Sequence, residues 1–121
     1  MILADTNVWI NHFRESDAEL ISQLNVGFVA CHPLIIGELA CGNLDNRAEI
    51  LILLQALPSS PVVEATEILQ FIENNSLMGQ GLGYVDMHLL ASAIIGHVSL
   101  LTYDRRLNDL AVALGVAYPR G

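Results

Sequence analysis

The sequence predicts an α/β protein, a small parallel sheet with helices on both faces, on three observations. Short apolar runs alternate with longer helical segments along the chain, the pattern of parallel strands joined by crossover helices. Two of those runs lead into aspartates, Asp5 and Asp104, where an open parallel sheet gathers its ligand-binding groups beyond the strand ends. The 121 residues contain no repeat, linker or low-complexity segment. One domain over residues 1–121 is therefore expected, long enough to bury roughly two thirds of its unfolded surface.

Each element has a local reason. Ile2-Leu3-Ala4 reads as a strand ended by Asp5-Thr6-Asn7, residue types that favour helix N-caps, and Val8-Trp9-Ile10 starts a short helix. Ser16-Asp17-Ala18-Glu19 matches a capping box with Ser16 as the cap, opening a helix through about Leu24. Gly27-Phe28-Val29-Ala30-Cys31 is a buried strand, and Pro33 suits the first turn of a helix over 34–41 that Gly42-Asn43 ends. A helix over 47–57 stops at Pro58-Ser59-Ser60-Pro61, and Val62-Val63 reads as a short strand before a helix over 64–74. Three glycines in Gly79-Gln80-Gly81-Leu82-Gly83 make a loop that feeds a helix over 84–95. A strand over 98–102 follows. Leu107, Leu110, Ala111 and Leu114 form one apolar stripe of a last helix, Gly115 closes it, and Val116-Ala117-Tyr118 is a final short strand.

Composition narrows the function. The chain is 53% apolar, yet no apolar stretch approaches the roughly eighteen residues of a membrane helix. Its start lacks the basic region of a secretion signal, so a cytoplasmic protein without membrane association is expected. Cys31 and Cys41 lie in apolar surroundings and read as buried thiols. The net charge is −8 and there is no lysine, which excludes a phosphate-cradling P-loop. It also argues against response-regulator receivers and haloacid-dehalogenase-like phosphatases, which place aspartates at strand ends but use a lysine. A strongly acidic chain repels polyanions, so a nucleic-acid substrate would need metal ions and local arginines.

Four of the thirteen acids are out of place. Asp17, Glu19 and most others lie in polar or amphipathic segments where solvation is the default. Glu38 instead sits within Leu34-Ile35-Ile36-Gly37-Glu38-Leu39-Ala40-Cys41, and a helix apolar on all sides is expected to be buried. Asp86 shares a helical direction with Leu90, Ala93 and Ile94, while His88 and Ser92 mark the more polar side. Asp5 and Asp104 converge if their strands are neighbours. Taken singly, the three aspartates are also good helix N-caps, and Glu38 is also explained by a buried pair with Arg105 or Arg106. Taken together, four converging anions raise one another's pKa unless a cation is present, and an all-oxygen ligand set favours Mg²⁺ or Mn²⁺. Asp109 points away from the apolar stripe and reads as solvated. His12, His32, His88 and His97 are not expected to be catalytic.

With those residues in view, the chain resembles the PIN-domain family, and within it the VapC toxins. The likeness is carried by Leu3-Ala4-Asp5-Thr6-Asn7-Val8-Trp9-Ile10, Ile36-Gly37-Glu38-Leu39, Gly83-Tyr84-Val85-Asp86-Met87-His88-Leu89-Leu90-Ala91-Ser92-Ala93 and Leu101-Thr102-Tyr103-Asp104-Arg105-Arg106-Leu107. Each piece is weak alone, and their order and spacing over nearly the whole chain make the combination strong. The resemblance maps the family's acidic quartet onto Asp5, Glu38, Asp86 and Asp104, and its neighbouring polar residues onto Thr6 or Asn7 and Thr102. It implies endonucleolytic cleavage of RNA, often a transfer or ribosomal RNA, and a small VapB-like antitoxin as partner. The family often has a more basic surface than this chain.

The expected chemistry is water activation by one or two Mg²⁺ or Mn²⁺ ions held on the quartet, with Thr6, Asn7 and Thr102 orienting the carboxylates. Arg105 and Arg106 are candidates for gripping phosphate or, equally, for surface pairing with acids. The rival reading is a non-catalytic acidic module that receives a basic partner peptide. A homodimer is expected from the apolar composition, with Trp9, Ile52 or Leu53 as possible anchors.

Overall fold

The computed structural model describes residues 1–119. Its sheet has three parallel strands in the order β2-β1-β3: β1 Ile2–Ala4, β2 Val29–Ala30 and β3 Ser99–Leu101. The centre strand β1 is buried at every residue, as a strand covered on both faces requires. It pairs Ile2 with Val29 on one side, and Leu3 with Leu100 and Ala4 with Leu101 on the other. The neighbouring strands on which the convergence of Asp5 and Asp104 depends are therefore present.

Seven helices lie among the described residues: α1 Thr6–Glu15, α2 Ala18–Asn25, α3 Pro33–Ala40, α4 Arg47–Ala56, α5 Ala65–Asn74, α6 Tyr84–Gly96 and α7 Arg105–Ala113. Each expected helix appears, with ends moved by a residue or two. None is long and apolar enough to cross a membrane. Two expected strands shrink to single bridges. Val62 and Val63 do not form a strand. The chain pairs earlier, at Ser59 with Cys31, through Cys31 N donating to the Pro58 carbonyl (2.8 Å) and Ser60 N to the Cys31 carbonyl (2.9 Å). Pro61 has no N–H with which to continue. At the other edge, residues 116–118 touch the sheet only where Ala117 bridges Leu100.

Several local expectations fail. The cap of α2 is Asp17, not Ser16; Ser16 takes a left-handed conformation (φ 61°) that turns the chain out of α1. Asp17, expected to be solvated, is 4% exposed and collects donors from Leu20 N (3.0 Å), Asn11 Nδ2 (2.9 Å) and the Tyr103 hydroxyl. An ionised carboxylate accepts several donors where a serine hydroxyl accepts fewer. Likewise, α6 has no polar side in its middle, because all of residues 87–93 are buried. Ser92 donates to the Pro61 carbonyl (2.6 Å) and bonds the Ser60 hydroxyl. Cys31 is buried as expected, with its thiol pushed up to about 11 by burial, whereas Cys41 is exposed. Trp9 is also buried and so is no exposed anchor, while Ile52 and Leu53 on α4 are 66% and 60% exposed.

Asp17 locks the α1–α2 corner to the segment after β3. Burial would raise its pKa, but hydrogen bonds from Tyr103, Leu20 N and Asn11, with the nearby His12, outweigh burial and hold it below the ordinary 3.8. A depressed native value means stability fully present above 3.8 and lost as pH falls through the native value. Asp17→Asn is expected to lose about 2 kcal/mol at pH 7, measured by urea unfolding, and the gap to the parent protein should close below pH 3.8. A gap that persists unchanged at acid pH would show that the charge is not responsible.

Candidate metal centre

The site begins where β1 and β3 end side by side. Asp5 N donates to the Leu101 carbonyl at 2.8 Å, continuing the ladder one residue past the strand. Asp5 then turns the chain into α1 as its N-cap, with Oδ1 accepting from Thr6 N at 2.7 Å. Its other oxygen accepts from the Thr102 hydroxyl (2.7 Å) and from Asn7 Nδ2 (3.4 Å). Thr102 is wholly buried, and its hydroxyl oxygen also accepts from Asp104 N at 3.1 Å. Asn7 bonds Thr102 Oγ1 through its amide nitrogen (3.3 Å) and receives Tyr103 N on its oxygen (3.1 Å). Thr102 and Asn7 thus lock the β1 exit to the β3 exit.

The other acids arrive on three helices. Glu38 on α3 accepts from the Thr6 hydroxyl at 2.6 Å, which ties α3 to the start of α1. Asp86 in the first turn of α6 accepts from Gly83 N (3.1 Å), and Asp104 caps α7 by accepting from Leu107 N (3.1 Å). Asp5 and Asp104 are N-caps as expected, whereas the N-cap of α6 is Gly83 and Asp86 sits in the first turn, accepting from the cap's own amide; these bonds take one oxygen of Asp86 and of Asp104, leaving the second for other partners. Asp5 is 7% exposed and Asp86 half-buried. Glu38 is exposed, contrary to expectation, because α3 buries only Ile35 and Leu39. Its side chain borders a cavity of about 550 Å³ that Ile10, Phe13 and Arg14 also line.

Electrostatics joins all four acids. Burial first, then the charges of Asp86 and Glu38, hold the Asp5 carboxyl above the usual range despite the hydrogen bonds from Thr102 and Thr6. Asp86 is raised by burial and then by Asp104 and Glu38, against the Gly83 amide. No cationic side chain among the described residues contributes at either. Among the described residues no three His, Cys, Asp or Glu side chains close on one point as a finished coordination cage. Carboxylates that repel across an open crevice fit Mg²⁺ or Mn²⁺ all the same. Mg²⁺ in particular keeps several waters and takes only one or two carboxylates directly.

The contacts made around these acids carry more than the residue types show. Arg105 and Arg106 are exposed, and the Arg106 guanidinium lies over Gly81: a Cβ there would collide with Nη1, at a φ of +77° that itself favours glycine. Tyr103, which reaches Asp17, carried no signal beyond its position. His32 and His88 are buried together, with burial lowering the pKa of both and the charge of His88 adding to the effect at His32. Asp109 is exposed, as expected.

The raised carboxyls work against the native state at neutral pH, and that strain is relieved as pH falls through the raised values. In EDTA at pH 7, Asp86→Asn is therefore expected to melt a few degrees above the parent protein, since Asn keeps an oxygen for the Gly83 amide. Saturating Mn²⁺ should raise the parent melting point more than the variant's and reduce or reverse the order. A variant that melts below the parent in EDTA would contradict this balance.

A family model described as the PIN domain matches residues 2–113. Over 118 residues the chain is 45% identical to Ribonuclease VapC32 of Mycobacterium tuberculosis strain CDC 1551 / Oshkosh, and equally to the protein of the same name in strain ATCC 25618 / H37Rv. The match covers 97% of this chain and 95% of either relative. With the parallel sheet, these likenesses are decisive: the chain belongs to the PIN-domain family, and within it to the VapC type.

Proposed function

We propose that the protein is a divalent-metal-dependent endoribonuclease, the toxin of a toxin–antitoxin pair, with Asp5, Glu38, Asp86 and Asp104 as its metal-holding and catalytic carboxylates. The observation that carries this reading is the gathering of acids where β1 and β3 end: Asp5 is fixed by Thr102 and Asn7, Glu38 is held on the Thr6 hydroxyl, Asp86 and Asp104 stand at the starts of α6 and α7, and the acids' mutual repulsion helps raise Asp5 and Asp86. The 45% identity to a protein named as a ribonuclease supports the substrate. A bound Mg²⁺ or Mn²⁺ supplies Lewis acidity, the means by which water becomes nucleophilic near neutral pH and phosphate charge is offset.

The protein's own residues do the rest. Thr102, Asn7 and the Thr6 amide fix the orientation of Asp5, and the Thr6 hydroxyl fixes Glu38. Three of the four acids are anchored at helix starts by backbone amides, so their positions are set by the fold before substrate arrives. Arg105 and Arg106 follow Asp104 on the exposed start of α7, placed to hold phosphates of the RNA strand. The substrate class is RNA, with structured transfer or ribosomal RNA the form that the VapC resemblance favours. A VapB-like antitoxin is the partner, its basic segment drawn to a chain of charge −8. Exposed Ile52 and Leu53 support a homodimer, and the working compartment is the cytoplasm.

Total RNA incubated with the partner-free protein should yield discrete cuts with Mg²⁺ or Mn²⁺ and none with EDTA, and Asp5→Asn and Asp104→Asn should abolish them while remaining folded. Absence of cutting with any metal, or undiminished cutting by both variants, would leave the acidic binding module as the better account. Replacing Arg105 or Arg106 by Ala should weaken RNA binding and lower the slope of log affinity against log salt by about 0.7 for each phosphate no longer neutralised. An unchanged slope would remove that arginine from the phosphate-binding role.

A further inference from the structure

Two buried imidazoles have no part in the chemistry above. His32 is the N-cap of α3, where its Nδ1 accepts from Leu34 N at 3.1 Å. An amide donates only to an unprotonated ring nitrogen, so the neutral ring carries its proton on Nε2. That Nε2 is fully buried and has no partner among the described residues. His88 on α6 is its neighbour, with ring centroids 6.2 Å apart and a tilt of 56° that excludes stacking. Nδ1 of His88 is likewise buried without a partner, in a residue 6% exposed, and Tyr84 packs edge-on against its ring at 4.6 Å.

Orphaned polar atoms at such depth are rare and costly, and here a donor and a nitrogen able to accept lie on adjacent rings. With the centroids 6.2 Å apart the two nitrogens are too distant to bond directly, and one enclosed water between them satisfies both at once. A metal ion does not fit the pair, because the cap bond keeps a proton on the nitrogen that His32 would have to offer.

We propose that His32 and His88 form an imidazole bridge through one enclosed water, with His32 Nε2–H donating to the water and the water donating to His88 Nδ1, that sets the spacing between Glu38 on α3 and Asp86 on α6. His32 opens the helix that carries Glu38, and His88 lies two residues beyond Asp86. Both histidines are positioning residues that act through those carboxylates, so the inference rests on the quartet being the metal site. The bridge also extends the network: Thr6 ties α3 to α1, Thr102 ties β1 to β3, and the imidazoles tie α3 to α6.

The substitutions separate the bridge from mere packing. His32→Asn keeps an oxygen where Nδ1 caps α3 but cannot reach His88. His88→Asn keeps an acceptor near the Nδ1 position, and His88→Leu removes it. Mn²⁺ affinity, measured calorimetrically without RNA, should fall about tenfold in His32→Asn and His88→Leu and stay within about twofold in His88→Asn. The double variant His32→Asn/His88→Leu should lose no more than either single change, the signature of one shared interaction. Wild-type affinity in both single variants, or losses that multiply in the double, would overturn the proposal. Nitrogen-15 NMR of the histidine-labelled protein tests the bridge without metal, and a slowly exchanging His32 ring proton with His88 unprotonated at Nδ1 is the expected result. A proton on His88 Nδ1 would overturn it. If the parent protein binds no Mn²⁺, the metal reading falls, and the NMR result still decides the bridge.

Discussion

Everything at the acidic crevice depends on the register between β1 and β3. Because Ala4 lies opposite Leu101 and Asp5 N bonds the Leu101 carbonyl, the residues that leave the two strands, Asp5 and Thr102, meet at hydrogen-bond distance. A slip of one residue would turn every side chain of β1 to the other face and carry the Asp5 carboxylate away from the Thr102 hydroxyl. Register is in turn enforced by burial: Leu3, Leu100 and Leu101 are all but inaccessible to solvent, so neither strand can shift without exposing them. The core thus holds, at fixed positions, charges that would otherwise separate further.

The same core offsets what the crevice costs. Asp5 and Asp86 are charged groups in partly desolvated positions beside other anions, an arrangement that lowers native stability. It survives because the acids sit at element ends, where backbone amides need acceptors in any case. Asp5, Asp86 and Asp104 each supply one oxygen to such an amide. At Asp86 and Asp104 this leaves the second oxygen for other partners, so the anchoring role of these residues is compatible with the metal-binding role proposed for them.

Much of this was legible in the residues. Asp5, Asp86 and Asp104 announce themselves because each interrupts or ends an apolar run, and the helices are punctuated by proline, glycine and capping residues that act locally. The signal failed where tertiary packing decides. Glu38 was selected for an apolar setting, yet its helix buries one flank only, and the acid lies on the exposed one. Asp17 looked solvated because its donors Asn11 and Tyr103 come from other elements, the second from 86 residues away. His88 and Ser92 looked like a polar side because composition does not reveal that α6 is covered all round. The approach of Arg106 to Gly81 brings together a loop and a helix that no local pattern links.

The double duty proposed for the capping aspartates would have an evolutionary consequence. Asparagine is as good a helix cap as aspartate, and it removes a charge that the crevice accommodates only with difficulty. The substitution that silences an acid therefore leaves the fold intact, so quality control by proteolysis, which acts on unfolded chains, has little hold on such a variant. An inert copy would persist in the cell and keep every surface distant from the silenced carboxylate. It would continue to occupy whatever partner recognises those surfaces, and a silenced allele would act as a competitor for that partner instead of simply disappearing.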